Sequence, residues 1–351
     1  MLAPATRCWW SSRPSTWSCS SRPRGSCNVV SKRPRRSLLP VVAVVAGAAA
    51  LAALPAFIDP YSLRIATGVL MWAGLACAWN IVGGYAGYIS FGHSAFFGIG
   101  AYVTGILMQR EVGLAFAATL PLGVLVAVAI AAAIGGPTLR LRGAYFAIAT
   151  WAFAEMLMQL ATVLDVTGGT GGLSLPAYLN EFFFFYVMLG VAAVVYVGAW
   201  FLLERTRFGY RLKALRDHEP AAEALGIHTT RVKVQAFALS AGITSLFGSI
   251  YAYWVTFIDP RSVMGPEITD QMVVMVLLGG LGTVWGPALG ATVLWLTNRY
   301  IWSSFGDTVV YLPILGLLIA LIVLFLPNGL ISLLPGGRRG GGVLGRLWRK
   351  L

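Results

Sequence analysis

Few side chains in this 351-residue chain could do chemistry: 11% are charged, whereas 58% are hydrophobic. Trp151, Glu155, Gln159 and Thr162 recur at i, i+4, i+8 and i+11, which puts them on one stripe of one helix. The stripe interrupts an apolar run, Gly143–Leu164, with Glu155 near its middle. A carboxyl group at mid-span costs about 2.5–3.5 kcal/mol on the insertion scale for Asp, so it normally faces a bundle interior or a water-filled path. Glu155 and Gln159 therefore read as translocation-path candidates, or as a hydrogen-bonding pair that ties neighbouring helices. His93 sits with Ser90 and Ser94 in a glycine-dense stretch. His93 and Ser94 are path or gating candidates, and a satisfied packing histidine is the alternative.

Catalysis within the chain is not expected. Gly-Lys does not occur, so the phosphate-cradling Gly-x-x-x-x-Gly-Lys-Ser/Thr loop is absent. Gly-x-Ser-x-Gly and His-Glu-x-x-His are absent as well. The chain has three histidines and four cysteines, with no Cys-x-x-Cys, so neither a metal site nor a disulfide framework is indicated.

The densest polar segment, Glu204–Lys233, holds seven basic residues: Arg205, Arg207, Arg211, Lys213, Arg216, Arg231 and Lys233. Within it, Glu219–Leu225 is predicted to form a short helix, with Pro220 in its first turn and Gly226 as its stop. Glu219 and Glu223 share a face at i, i+4, and Ala221, Ala222 and Ala224 keep the surface flat. Either this helix docks a partner outside the membrane, or it is a solvated linker between spans.

The elements that must position these residues are membrane spans. Mean hydropathy is +0.75, and 351 residues allow about eight to eleven spans of 20 residues. Apolar runs are predicted at Leu38–Phe57, Tyr61–Val82, Leu114–Ile134, Gly143–Leu164, Phe182–Leu203, Val234–Phe257, Thr269–Leu278, Ala291–Trp302 and Val309–Leu326, with one more leading out of the glycine-dense stretch Gly83–Gly100 to about Met108. The fold class is thus all-α and polytopic, with about ten transmembrane helices. Two glycine-rich stretches, Gly83–Gly100 and Gly279–Gly290, are expected to be broken or re-entrant, because bare backbone is tolerated at membrane depth only when it is buried in protein or lines a cavity. Their similar spacing is either a degenerate internal repeat or chance.

The net charge of +13 lies in two tails. Residues 1–40 carry eight basic residues and no acid, and residues 336–351 carry five and no acid. Such tails suit contact with anionic membrane lipid rather than nucleic acid. Placing both tails, Arg140, Arg142 and the polar segment on one side satisfies the positive-inside rule, with both termini cytoplasmic. Residues 1–37 read as a disordered basic tail or an extension from a misassigned start. Residues 38–334 form the transmembrane domain, with a cytoplasmic loop at 204–233, and 335–351 form a basic cytoplasmic tail.

The segment Arg216-Asp-His-Glu-Pro-Ala-Ala-Glu-Ala-Leu-Gly-Ile227, followed by Arg231-Val-Lys233, resembles the coupling loop of ATP-binding-cassette importer permeases. More narrowly, it is similar to the branched-chain amino-acid permease family. Gly87–Tyr102, Leu141–Thr150, Thr167–Leu173 and Gly279–Pro287 agree, in the order seen in the longer, second permease of that system. The resemblance covers about residues 60–332. It implies a non-enzymatic subunit in a bacterial-type inner membrane, moving branched-chain amino acids inward by alternating access. It also implies a heterodimer with a second permease, two cytoplasmic ATPase subunits that bind ATP and Mg, and an extracytoplasmic solute-binding protein. Glu219, Ala221, Ala222, Glu223 and Gly226 would couple to the ATPase. A permease for urea or short amides is the alternative within the same architecture, and an ion-coupled secondary transporter using Glu155 is a more distant one.

Overall fold

The computed structural model describes residues 59–109, 115–141, 143–178, 180–305 and 329–333, with Cys8–Trp9, Ser18–Cys19, Gly47, Pro55 and Gly316. Side chains of the last helix are described as far as residue 299. The expected spans Leu38–Phe57 and Val309–Leu326 and the two basic tails lie almost wholly outside the described residues.

The chain divides into two units, Met1–Pro40 and Val41–Leu351. In the first, β1 (Cys8–Trp9) pairs antiparallel with β2 (Ser18–Cys19). The second is helical. Its elements are α1 (Pro60–Asn80), α2 (His93–Gln109), α3 (Phe116–Thr138), α4 (Ala144–Val163), α5 (Glu181–Trp200), α6 (Arg207–Asp217), α7 (Glu219–Ala224), α8 (Thr229–Val255), α9 (Pro260–Met264), α10 (Pro266–Gly279) and α11 (Gly286–Phe305). Two-residue strands β3 (Leu173–Ser174) and β4 (Phe257–Ile258) pair antiparallel in the loops after α4 and α8. Among the described residues, five helices are long and apolar enough to cross a membrane: 60–86, 116–138, 144–163, 181–205 and 229–255. The chain is an all-α, multi-pass membrane protein.

Local chemistry explains the helix starts. Asp59 caps α1, its carboxylate accepting from the Ser62 amide at 3.3 Å and the Ser62 hydroxyl at 3.0 Å, while Pro60 supplies a preset φ. Asp259 and Ser262 form a reciprocal capping box on α9. α1 and α5 each end in a π-helical turn, Ile81–Ala86 and Phe201–Arg205. The long helix α8 starts at Thr229, five residues before the apolar run that predicts it. Arg231 and Lys233 are therefore helical, which moves the end of the polar loop toward residue 228.

Small residues set the packing. α2 crosses α8 so closely that a β-carbon on Gly100 would lie 2.0 Å from the Ser245 carbonyl oxygen, and one on Gly248 would lie 2.0 Å from that of Phe97. The Ser249 hydroxyl donates to the Gly100 carbonyl at 3.0 Å. With no hydrophobic drive between helices in lipid, this close approach is what holds them together. Phe96, Phe146 and Phe237 fill the space beside it in edge-to-face pairs.

At the end of the bundle away from the polar segment, Glu181 at the start of α5 joins two other helices. It accepts from Arg64 of α1 at 3.3 Å and from the Trp254 indole of α8 at 3.0 Å. The β3–β4 ribbon lies at this end too, extended by a 2.7 Å bond from the Leu175 amide to the Thr256 carbonyl.

Candidate functional site

The predicted docking helix is present as α7. His218 caps it, its Nδ1 accepting from the Ala221 amide at 3.1 Å, and Pro220 lies in its first turn. The chain leaves the helix through Gly226, whose φ of +79° suits glycine, and whose amide donates to the Glu223 carbonyl at 2.9 Å.

The five expected coupling residues split between two faces. Ala222 is buried against the bundle and Glu219 is half-buried. The Glu219 carboxylate accepts the Tyr88 hydroxyl on one oxygen at 2.6 Å and the Lys233 ammonium on the other. Only 4% of the Lys233 side chain is exposed, and its charge also lies 4.5 Å from the centre of the Tyr88 ring. Ala221, Glu223 and Gly226 are exposed. Glu223 accepts the Thr229 hydroxyl at 2.7 Å, which ties the end of α7 to the start of α8. Leu225 is 80% exposed, an apolar side chain at the tip of the surface. Composition points to the alanines, but periodicity alone does not single out Leu225.

Both glycine-rich breaks lie against this polar segment. The first runs from the π turn through Gly87 to Gly92, and the second from Gly280 to Trp285. They meet at Asn80, whose side-chain amide donates to the Thr283 carbonyl at 2.8 Å and accepts from the Gly282 amide at 3.0 Å. A β-carbon on Gly84 would lie 2.7 Å from the Gly282 nitrogen, so the stretches that look alike in sequence pack on each other. The sequence reading gives no role to Asn80 or Tyr88, and it counts Lys233 only among the basic residues of the polar segment. The signal for Asn80 was its amide at the end of an apolar span.

The path candidates form two separate places. Gln159 donates to Glu155 at 2.9 Å along α4. Glu155 is half-buried and Gln159 exposed, on a helix face that also exposes Tyr145, Ile148, Trp151 and Met156. Nothing in the described part of the chain covers that face. His93 and Ser94 are fully buried at the start of α2. His93 Nε2 pairs with the Ser240 hydroxyl at 2.7 Å, which in turn donates to the Ala78 carbonyl at 2.6 Å. The imidazole lies edge-on to Phe96 and Phe237. No hydrogen bond links this cluster to Glu155. Among the described residues, no three His, Cys, Asp or Glu side chains gather as a metal site.

Residues 61–327 match the family model described as branched-chain amino acid transport system / permease component. The permease protein LivM of the high-affinity branched-chain amino acid transport system of Salmonella typhimurium is 30% identical over 312 residues, covering 80% of this chain and 72% of that protein. A probable branched-chain amino acid transport permease LivM from Methanocaldococcus jannaschii is 26% identical over 329 residues, covering 78% and 95%. The autoinducer 2 import permease LsrC of Salmonella paratyphi B is 33% identical over 171 residues, covering 44% and 48%. No solved structure matches the chain.

Proposed function

The chain belongs to the branched-chain amino acid transport permease family, and from that premise we propose that it is the membrane-spanning half of an ATP-driven importer for branched-chain amino acids. The observation that carries the coupling is α7: a capped, glycine-stopped helix with one side held to the bundle and the other side, Ala221, Glu223, Ala224, Leu225 and Gly226, left exposed. One of two ATPase subunits that bind ATP and Mg docks there, and the other docks on the second permease. Their closure pushes α7, and the helices reorient around the path by alternating access. The polar end and both termini face the cytoplasm of a bacterial-type inner membrane, with about ten spans in all. An extracytoplasmic solute-binding protein delivers the solute at the opposite end.

The uncovered face of α4 supports a second permease as the partner. A carboxylate facing lipid would cost about 2.5–3.5 kcal/mol, whereas Glu155 and Gln159 at a subunit interface would line a wet path between the two permeases. His93 and Ser94, held in the α2–α8 packing, position that wall from behind.

The test is uptake of radiolabelled leucine, isoleucine and valine by cells lacking their own system and expressing this chain with the transport genes beside it. ATP-dependent uptake that survives an uncoupler supports the importer. Uptake that collapses with the uncoupler while ATP is held constant makes the chain an ion-coupled transporter instead, and uptake of urea or acetamide alone moves the solute assignment.

A further inference from the structure

Three side chains of the polar segment converge on one short stretch of chain, the π turn Ile81–Ala86 and the two residues after it. Glu204 accepts from the Tyr85 hydroxyl at 3.0 Å, and Glu219 accepts from that of Tyr88 at 2.6 Å. Between them, Arg216 Nη1 donates to the Gly84 carbonyl at 2.6 Å. Gly84 lies in the last turn of a helix, where carbonyls lack intrahelical donors and the helix dipole is negative, so a guanidinium suits the place.

The second break reaches the same guanidinium. A β-carbon on Gly282 would lie 2.2 Å from Arg216 Nη1 and 3.1 Å from the Gly84 carbonyl oxygen. Gly282 has a φ of +71°, so its lack of a side chain serves both the turn and the close approach. The planar head of Arg216 therefore rests on one break while it bonds the other. It is also three residues from the start of α7, with only Asp217 and His218 between.

We infer that Arg216 is a positioning residue that fastens both glycine breaks to the docking helix, so that a displacement of α7 moves the α1–α2 and α10–α11 junctions together. This rests on the proposed docking of an ATPase at α7, but the fastening itself can be read in the isolated chain. A lysine would keep the charge and lose the planar guanidinium that lies against Gly282 while its Nη1 bonds Gly84.

The experiment is hydrogen–deuterium exchange on the purified full chain in lipid nanodiscs, comparing wild type with Arg216→Gln and Gly282→Ala. The first variant removes the guanidinium, and the second keeps it but displaces it. The expected result is exchange about tenfold faster at both 81–88 and 280–285 in each variant, with 165–175 at the other end unchanged. Faster exchange at one break only, at neither, or throughout all helices overturns the inference. In the assembled transporter, Arg216→Lys is expected to lower uptake more than about tenfold while ATP hydrolysis continues, and normal uptake by that variant would also overturn it. The two readings fail separately. Normal uptake by Leu225→Glu, which alters only the docking face, would sink the docking reading, whereas unchanged exchange at the two breaks would sink the role of Arg216.

Discussion

Lys233 and Glu219 form an ion pair at the foot of the bundle, with the Tyr88 hydroxyl on the second carboxylate oxygen. One acidic group thus joins the docking helix, the long helix α8 and the first glycine break. Removing one partner of such a pair leaves an uncompensated charge, which typically costs about 3–5 kcal/mol. Glu219→Gln, which strands the buried Lys233 ammonium, is expected to lower the unfolding free energy of the detergent-solubilised chain by about 3 kcal/mol. The double variant Glu219→Gln/Lys233→Met is expected to be more stable than the single one, as measured by denaturant titration. Equal stability of the two would mean that the charge is already solvated.

The exposed tip of α7 allows the converse separation of stability from function. Leu225 is 80% exposed, so Leu225→Glu should change stability by less than about 0.5 kcal/mol and still abolish uptake. Glu223→Arg should do the same through the docking face, although it also loses the Thr229 hydroxyl bond. Gly226→Pro forces a φ near −65° where the chain needs +79°, and uptake should fall more than about tenfold with membrane insertion intact. Insertion is read from membrane-fraction immunoblots beside the transport assay.

Glu155→Ala tests the path. Among the described residues its one side-chain hydrogen bond is to Gln159, a turn away on the same helix, so the melting temperature of the chain should be unchanged. Solute uptake should drop at least about tenfold at equal expression. Wild-type uptake would leave Glu155 as a packing residue.

The α2–α8 crossing tests whether backbone proximity holds the bundle. Gly248→Ala pushes a methyl group against the Phe97 carbonyl and should cost about 1–3 kcal/mol or more, since backbone cannot rotate away. Gly190→Ala on α5, where nothing lies within 4 Å, is the control and should be neutral or slightly stabilising. Thermal unfolding of both purified variants measures the difference.

Much of this architecture was legible in the sequence. The apolar runs predicted α1, α3, α4 and α5 to within a few residues, because lipid thickness fixes their length. α8 was predicted to start late, at Val234, since Arg231 and Lys233 look like loop residues until Glu219 is seen to neutralise the latter. Pro220 and Gly226 gave α7 away, because their conformational demands are local. The stripe at Glu155 was also visible, yet periodicity says only that side chains share a face. It does not say whether a neighbour covers that face, and here none does among the described residues. The meeting of Asn80 with Gly282 and Thr283 could not be read at all: it joins residues about 200 positions apart through backbone atoms, which carry no sequence signature.

The two ends of the bundle are fastened by different mixtures of bond, and among the described residues only the end away from the polar segment adds a paired backbone ribbon to its side-chain contacts at Glu181. At the end away from the polar segment, β3 and β4 are joined through backbone amides and carbonyls, as is Leu175 to Thr256. The ribbon's hydrogen bonds do not depend on side-chain identity, so its exposed positions, Ser174 and Phe257, can change without undoing the pairing. At the other end the joins at Asn80, Glu204, Arg216 and Glu219 each use a particular side chain, so a change at one must be matched by another. Evolutionary freedom and mechanical constraint thus fall at opposite ends of the same bundle.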